Sequence, residues 1–150
     1  MWLTGITPAG EFRVSSVTAS GSTARDVGTR LVSSSPTITN LTTTATATGG
    51  SGAYANWNSS ASSPTMTNVV ATATANSDSH GVYNEDSSPA KNNLTATATG
   101  NSNSYGVFSG GFSEAPSPTI RNSSITGRVG RSYSATVRIF NSMRSRTLID

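Results

Sequence analysis

The chain has 150 residues, of which 27 are Ser, 23 Thr, 14 Gly and 12 Asn; 33% are hydrophobic, 11% charged, and the formal net charge is +3. So few large apolar side chains leave little for a conventional globular core, and this composition disfavours long helices and coiled coils. With no Cys, disulfides, thiolate chemistry and Cys-bound metal are excluded. No apolar run reaches the ~18 residues of a membrane span, and the first residues lack a charged-then-apolar signal pattern.

A polar chain of this kind is either disordered or a stacked repeat, and the elements in chain order favour the repeat. Phe12-Arg13-Val14-Ser15-Ser16-Val17 is a weak first copy. Residues 34–41 read Ser-Ser-Pro-Thr-Ile-Thr-Asn-Leu, and Thr44-Ala45-Thr46 follows in strict alternation. A Gly-rich loop at 49–52 leads to Tyr54-Ala55-Asn56-Trp57, a short second strand. The next copy has Pro64, Asn68, Val69 and Thr72-Ala73-Thr74, a loop at 76–79, and His80-Gly81-Val82-Tyr83. The third has Pro89, Asn93, Leu94 and Thr97-Ala98-Thr99, a loop at 100–103, and Tyr105-Gly106-Val107-Phe108. The last has Pro118, Ile120, Asn122 and Thr126-Gly127-Arg128, with Val137-Arg138-Ile139-Phe140-Asn141 as its second strand.

Register is kept while the loops vary in length, which a disordered tract has no reason to do. Period-two alternation is the strand signature, with β-branched Thr on one face and Ala, Leu or Val on the other. Asn40, Asn68, Asn93 and Asn122 occupy one column, where Asn can adopt a left-handed backbone and turn a corner. Stacked Asn side chains can also hydrogen-bond along the stack, forming a structural ladder. Thr44, Thr46, Thr72, Thr74, Thr97 and Thr99 form two further columns, expected outward as a flat, possible binding face.

The Ser-Ser-Pro-Thr-x-Thr-Asn-(Leu/Val) unit, the Thr-Ala-Thr run and the Gly-Val-(Tyr/Phe) strand resemble the right-handed parallel β-helix repeats of bacterial surface and secreted proteins with a pectate-lyase-like fold. The resemblance covers roughly residues 12–142 and supplies the handedness. The expected fold is all-β: a parallel β-helix, or solenoid, of about five coils with 24–29 residues each. It forms a single repeat domain over 1–150, with coils at roughly 12–35, 36–63, 64–88, 89–117 and 118–142. Open coil ends would be adhesive, so a piece of a longer solenoid or end-to-end self-association is expected.

Many enzymes of the resembled fold cleave polysaccharides, which requires clustered carboxylates or a cation beside a base. Asp78, His80, Glu85, Asp86 and Lys91 are the only gathering of ionisable groups, and they read as solvated loop charges. No catalytic residue, metal site or cofactor is expected: there is one His and neither a nucleophile elbow nor a calcium loop. The Thr columns resemble the Thr-x-Thr surface of insect β-helical antifreeze proteins. Arg121, Arg128, Arg131, Arg138, Arg144 and Arg146, interleaved with Tyr133 and Phe140, read as charges that discourage edge pairing; a nucleic-acid partner is not expected. Trp57, Tyr83 and Phe108 are expected to stack, for ladder packing before sugar binding. Four Asn-x-(Ser/Thr) sequons, at Asn40, Asn58, Asn93 and Asn122, are what so Ser/Thr-rich a chain yields by chance.

The expected role is therefore a non-catalytic structural or surface-interaction segment, contacting glycan or another surface polymer in adhesion. A degenerate or partial carbohydrate-active enzyme and an ice-binding Thr-ladder protein are the alternatives. The repeat style points to an extracellular or cell-surface location.

Overall fold

The structure, a computed structural model, describes residues 1–5, 11–12, 16–22, 25–50, 52–111, 117–129, 133–139 and 148–149, with 11–12, 129, 133–139 and 148–149 as backbone. Arg131, Phe140, Arg144 and Arg146 lie outside the described residues, and Tyr133 and Arg138 are described only as backbone. The described regular structure consists of β-strands: β1 (Trp2–Thr4), β2 (Glu11–Phe12), β3 (Ser16–Gly21), β4 (Asp26–Val32), β5 (Thr37–Thr39), β6 (Thr42–Ala47), β7 (Ala53–Ser59), β8 (Thr65–Ala75), β9 (Ser79–Glu85), β10 (Ala90–Gly100), β11 (Asn103–Gly110), β12 (Thr119–Arg121), β13 (Ser124–Val129), β14 (Tyr133–Ile139) and β15 (Leu148–Ile149).

Every described pairing is parallel, and the strands divide between two sheets. Sheet A runs β1-β4-β7-β9-β11-β14; sheet B runs β15-β12-β10-β8-β5-β2, with β3, β6 and β13 as continuations of its ranks. Glu11, Thr37, Thr65, Ala90 and Thr119 succeed one another as register partners, carrying sheet B from rank to rank. The chain alternates between the sheets and winds through about four turns of a β-solenoid. No described helix is long and apolar enough to cross a membrane.

Both sheets shift the side-chain phase once per coil. In sheet B, Asn40, Asn68, Asn93 and Asn122 have φ of 57°, 56°, 55° and 49°. A left-handed residue bends the strand and resets the alternation. Residues three apart then both point inward, as the fully buried pairs Ile38 and Leu41, and Met66 and Val69, show. In sheet A the register passes from Tyr54↔His80 to Asn56↔Val82, stepping over Ala55 and Gly81. The next rank does the same around Gly106. A Cβ on Gly81 would meet the Gly106 carbonyl oxygen at 2.7 Å and the Thr97 nitrogen at 3.1 Å, so this column turns inward against sheet B. The residues on either side of it, such as Tyr54 and Trp57, therefore share the outer face.

The core between the sheets is narrow. Ala45, Ala71, Ala73, Ala96 and Ala98 fill it beside one or two larger side chains per coil, among them Leu31, Met66, Val82, Leu94 and Val107. Small side chains let the sheets approach closely, so a chain with few large apolar residues still excludes water. Buried polar groups pair along the stack: Asn58 Nδ2 donates to Asn84 Oδ1 at 2.8 Å, Asn84 Nδ2 to Ser109 Oγ at 2.9 Å, and Ser79 Oγ to Ser104 Oγ at 2.9 Å. Corners close through the Ser-Ser-Pro units. Ser62 Oγ donates to the Ser59 carbonyl at 2.6 Å, while Pro36, Pro64 and Pro89 accept from the amides of Thr65, Ala90 and Thr119.

Candidate functional site: an aromatic groove on sheet A

The two outward columns of sheet A are aromatic. One contains Tyr54, His80 and Tyr105; the other contains Trp57, Tyr83 and Phe108. Strand spacing near 4.8 Å makes ring stacking within a column the natural arrangement. Tyr54 and His80 lie parallel, with centroids 4.9 Å apart and planes at 2°; Tyr83 and Phe108 do likewise at 5.0 Å and 5°. The other within-column pairs are not stacked: Trp57 stands edge to face with Tyr83 at 79°, against the expected stack, and His80 tilts 45° to Tyr105. Between columns Tyr54 meets Tyr83 at 85°, and His80 meets Tyr83 at 86° and Phe108 at 89°, edge to face, while Tyr54–Trp57 and Tyr105–Phe108 are tilted at 31° and 46°. Tyr54, Trp57, His80 and Tyr105 are buried largely by their neighbours, whereas Tyr83 and Phe108 are half-buried.

An open groove of about 370 Å³ runs over this surface, lined by Tyr54, Asp78, His80, Tyr83, Asn103, Tyr105 and Phe108. Asp78 sits on its lip, where its Oδ1 accepts from the Asn103 backbone amide at 3.0 Å and from Asn103 Nδ2 at 3.1 Å. His80 is 5% exposed, and its Nδ1 has no hydrogen-bond partner. Burial pushes the imidazole pKa down to about 4, overriding the opposing pull of the Asp78 carboxylate, so His80 is neutral at neutral pH. Burial likewise raises the pKa values of Tyr54 and Tyr83.

Comparison with protein-family models, with curated proteins and with solved structures finds no match. The functional reading therefore rests on the chain's own groups.

The surface also engages cations of its own chain. The Arg30 guanidinium lies between two indoles, 4.4 Å from the Trp57 ring centre and 4.6 Å from that of Trp2. Arg25 lies 5.6 Å from Trp57 and 5.9 Å from Tyr54. Trp2, Arg25, Arg30 and Trp57, with Met1 and Val27, line a second groove of about 430 Å³.

The ionisable residues gathered in the sequence are dispersed by the fold. Asp78 and His80 meet in the groove. Glu85 Oε2 instead accepts from Trp57 Nε1 at 3.2 Å, and Asp86 occupies a corner at φ 48°. Lys91 points into the core, 2% exposed, in the column of Ile38, Met66 and Ile120. Among the described residues, no three His, Asp or Glu side chains are grouped to hold a metal ion.

On sheet B, Thr44, Thr72 and Thr97 are register partners, as are Thr46, Thr74 and Thr99. All six are half-buried or exposed, and Thr42, Val70 and Thr95 form a neighbouring exposed column. Asn68 Nδ2 donates to Asn40 Oδ1 at 2.9 Å and Asn93 Nδ2 to Asn68 Oδ1 at 2.8 Å, while Asn122 Nδ2 turns to Asn92 Oδ1 at 2.9 Å. These Asn side chains are exposed, so their bonds order a surface corner, not an interior one.

Sequence reasoning placed Trp57, Tyr83 and Phe108 in one column but missed the column of Tyr54, His80 and Tyr105 beside it. The available signal was the three-residue spacing from Tyr54 to Trp57, His80 to Tyr83 and Tyr105 to Phe108. Strict alternation would send those partners to opposite faces, and only the inward phase shift at Ala55, Gly81 and Gly106 unites them.

Proposed function

We propose that the chain is a non-catalytic solenoid segment that contacts glycan through the groove on sheet A, at an extracellular or cell surface. The observation that carries this reading is the open groove of about 370 Å³, where half-buried Tyr83 and Phe108 lie beside the polar groups of Asp78 and Asn103. Asp78 and Asn103 add hydrogen-bonding groups on the lip, and half-buried Tyr83 and Phe108 add apolar surface, the mixture a sugar requires. A right-handed, pectate-lyase-like form of the solenoid belongs to the same proposal. The degenerate-enzyme alternative has less support, because Lys91 lies in the core and Glu85 holds Trp57.

A glycan-binding and cleavage screen on the intact chain tests the reading. Binding without cleavage that is lost in Tyr83→Ala, yet kept in Thr72→Ala, is the expected result. No retention on any glycan, or cleavage abolished by His80→Ala, overturns it.

A second reading has its own observation: the Thr pairs repeat in register over three ranks of sheet B. In-line hydroxyls and methyls at strand spacing are what an ice-binding plane needs. Thermal hysteresis at millimolar protein, abolished by Thr72→Tyr, would support it; no hysteresis removes it.

A further inference from the structure

We infer that the groove on sheet A takes an organic cation of the alkylammonium class, seated on the ring faces with the Asp78 carboxylate as its counter-charge. The inference rests on the reading of this groove as the binding site and names the group that it recognises.

Ring geometry is the first support. Carbon atoms in contact lie ~3.5–4.0 Å apart. Parallel rings with centroids 4.9 and 5.0 Å apart exceed that spacing, so they are not in full face-to-face contact. Tyr83 and Phe108, half-buried, give the groove most of its open ring surface, and Tyr54, His80 and Tyr105 line it from the adjoining column. An accessible ring face attracts a cation through its quadrupole, and most strongly one that surrenders little hydration. Alkylated ammonium meets that condition.

Charge is the second support. Asp78 is the only carboxylate among the lining residues, which include neither Lys nor Arg. His80 is neutral and adds no opposing positive charge. A ligand anion would thus face a carboxylate with no cation beside it among the lining residues, and a cation a complementary one.

The third support is how the same surface treats the chain's own cations. Arg25 and Arg30 already sit over Tyr54, Trp57 and Trp2 at cation–π distances. The groove lies on the next ranks of the same two columns. An external cation there extends a pattern that the chain has begun.

The group could arrive free or as a substituent on a glycan, and titration of the intact chain, followed by tyrosine and tryptophan fluorescence, separates these sources. The ligands are choline, its neutral isostere 3,3-dimethylbutanol, unsubstituted neutral oligosaccharides, and an oligosaccharide bearing phosphocholine. Choline is expected to bind and the isostere not to. Asp78→Asn is expected to weaken choline by at least about tenfold, with an unchanged unfolding midpoint, and Phe108→Leu to weaken it without altering the far-ultraviolet circular dichroism. Tighter binding of the substituted oligosaccharide than of choline marks the glycan as the source; equal binding marks the free cation. Binding of neutral oligosaccharides without choline overturns this inference and leaves the glycan reading standing. Binding of none overturns both.

Discussion

Lys91 of β10 reaches across the interior to Asn56 of β7, its Nζ donating to Asn56 Oδ1 at 3.0 Å and to Met66 Sδ at 2.7 Å. Asn58 Nδ2 donates to the same Oδ1 at 3.1 Å, so one amide oxygen anchors two donors between the sheets. Burial pushes the Lys91 pKa down to about 7 from 10.5. The unfolded chain therefore binds more protons than the folded chain between those values, and stability rises with pH across that window. Below pH 7 both states hold the proton and the desolvation cost is paid in full. Unfolding free energies from urea titrations between pH 6 and pH 10.5 should climb by a margin on the order of a few kcal/mol. Lys91→Met should flatten the climb and be more stable than the parent at pH 6, since its column neighbours are Ile38, Met66 and Ile120. A parent with pH-independent midpoints over this range would show that Lys91 is not desolvated.

His80 acts in a different window. Its folded pKa of about 4 lies below the ordinary 6.5, so the unfolded chain again binds the extra proton. Stability should be complete above pH 6.5 and fall as the pH drops toward 4, by roughly 3 kcal/mol in total. His80→Phe, which keeps a ring between Tyr54 and Tyr105, should remove most of that slope. Chemical unfolding from pH 4 to pH 7 reads it directly.

The exposed Asn corners separate backbone strain from side-chain bonding. Asn68 has φ of 56° and exchanges hydrogen bonds with Asn40 and Asn93. Asn68→Gly keeps the left-handed backbone accessible and loses only the bonds, so a cost of about 0.5–1 kcal/mol is expected. Asn68→Ala keeps the Cβ but loses the short polar side chain that lets Asn adopt the left-handed region, and should cost about 1–2 kcal/mol more than the Gly variant. Equal unfolding midpoints for the two variants would refute a conformational role for the Asn.

Gly81 sits in the inward column of the phase shift. With a Cβ it would meet the Gly106 carbonyl oxygen at 2.7 Å, so Gly81→Ala should lower stability by about 1–3 kcal/mol. It should also perturb the near-ultraviolet circular dichroism, because His80 and Tyr83 flank it. A silent substitution would mean that the sheets have room to separate there.

Much of the solenoid was legible because stacking writes its period into the sequence. Pro36, Pro64, Pro89 and Pro118 mark the ranks, and alternation through residues 44–46, 72–74 and 97–99 sets which side chains share a face. The groove was less legible. Its rings are separated by three residues where a regular strand repeats every two, and nothing in Tyr54-Ala55-Asn56-Trp57 alone says that Ala55 and Asn56 both turn inward.

A third of the residues being Ser or Thr, the sequence alone determined that the core must be thin, that strands must stack, and that loops absorb the variation in length. These outcomes are local: they follow from side-chain volume, β-branching and register. Only the tertiary structure decided that Lys91 is interior while Asp78 and His80 are together outside, and that two ring columns adjoin. For the ring columns the cause is the phase shift that each coil makes at the inward small-residue column of sheet A, which turns Trp57, Tyr83 and Phe108 to the face of Tyr54, His80 and Tyr105. Lys91 is interior because its column, beside Ile38, Met66 and Ile120, faces the core.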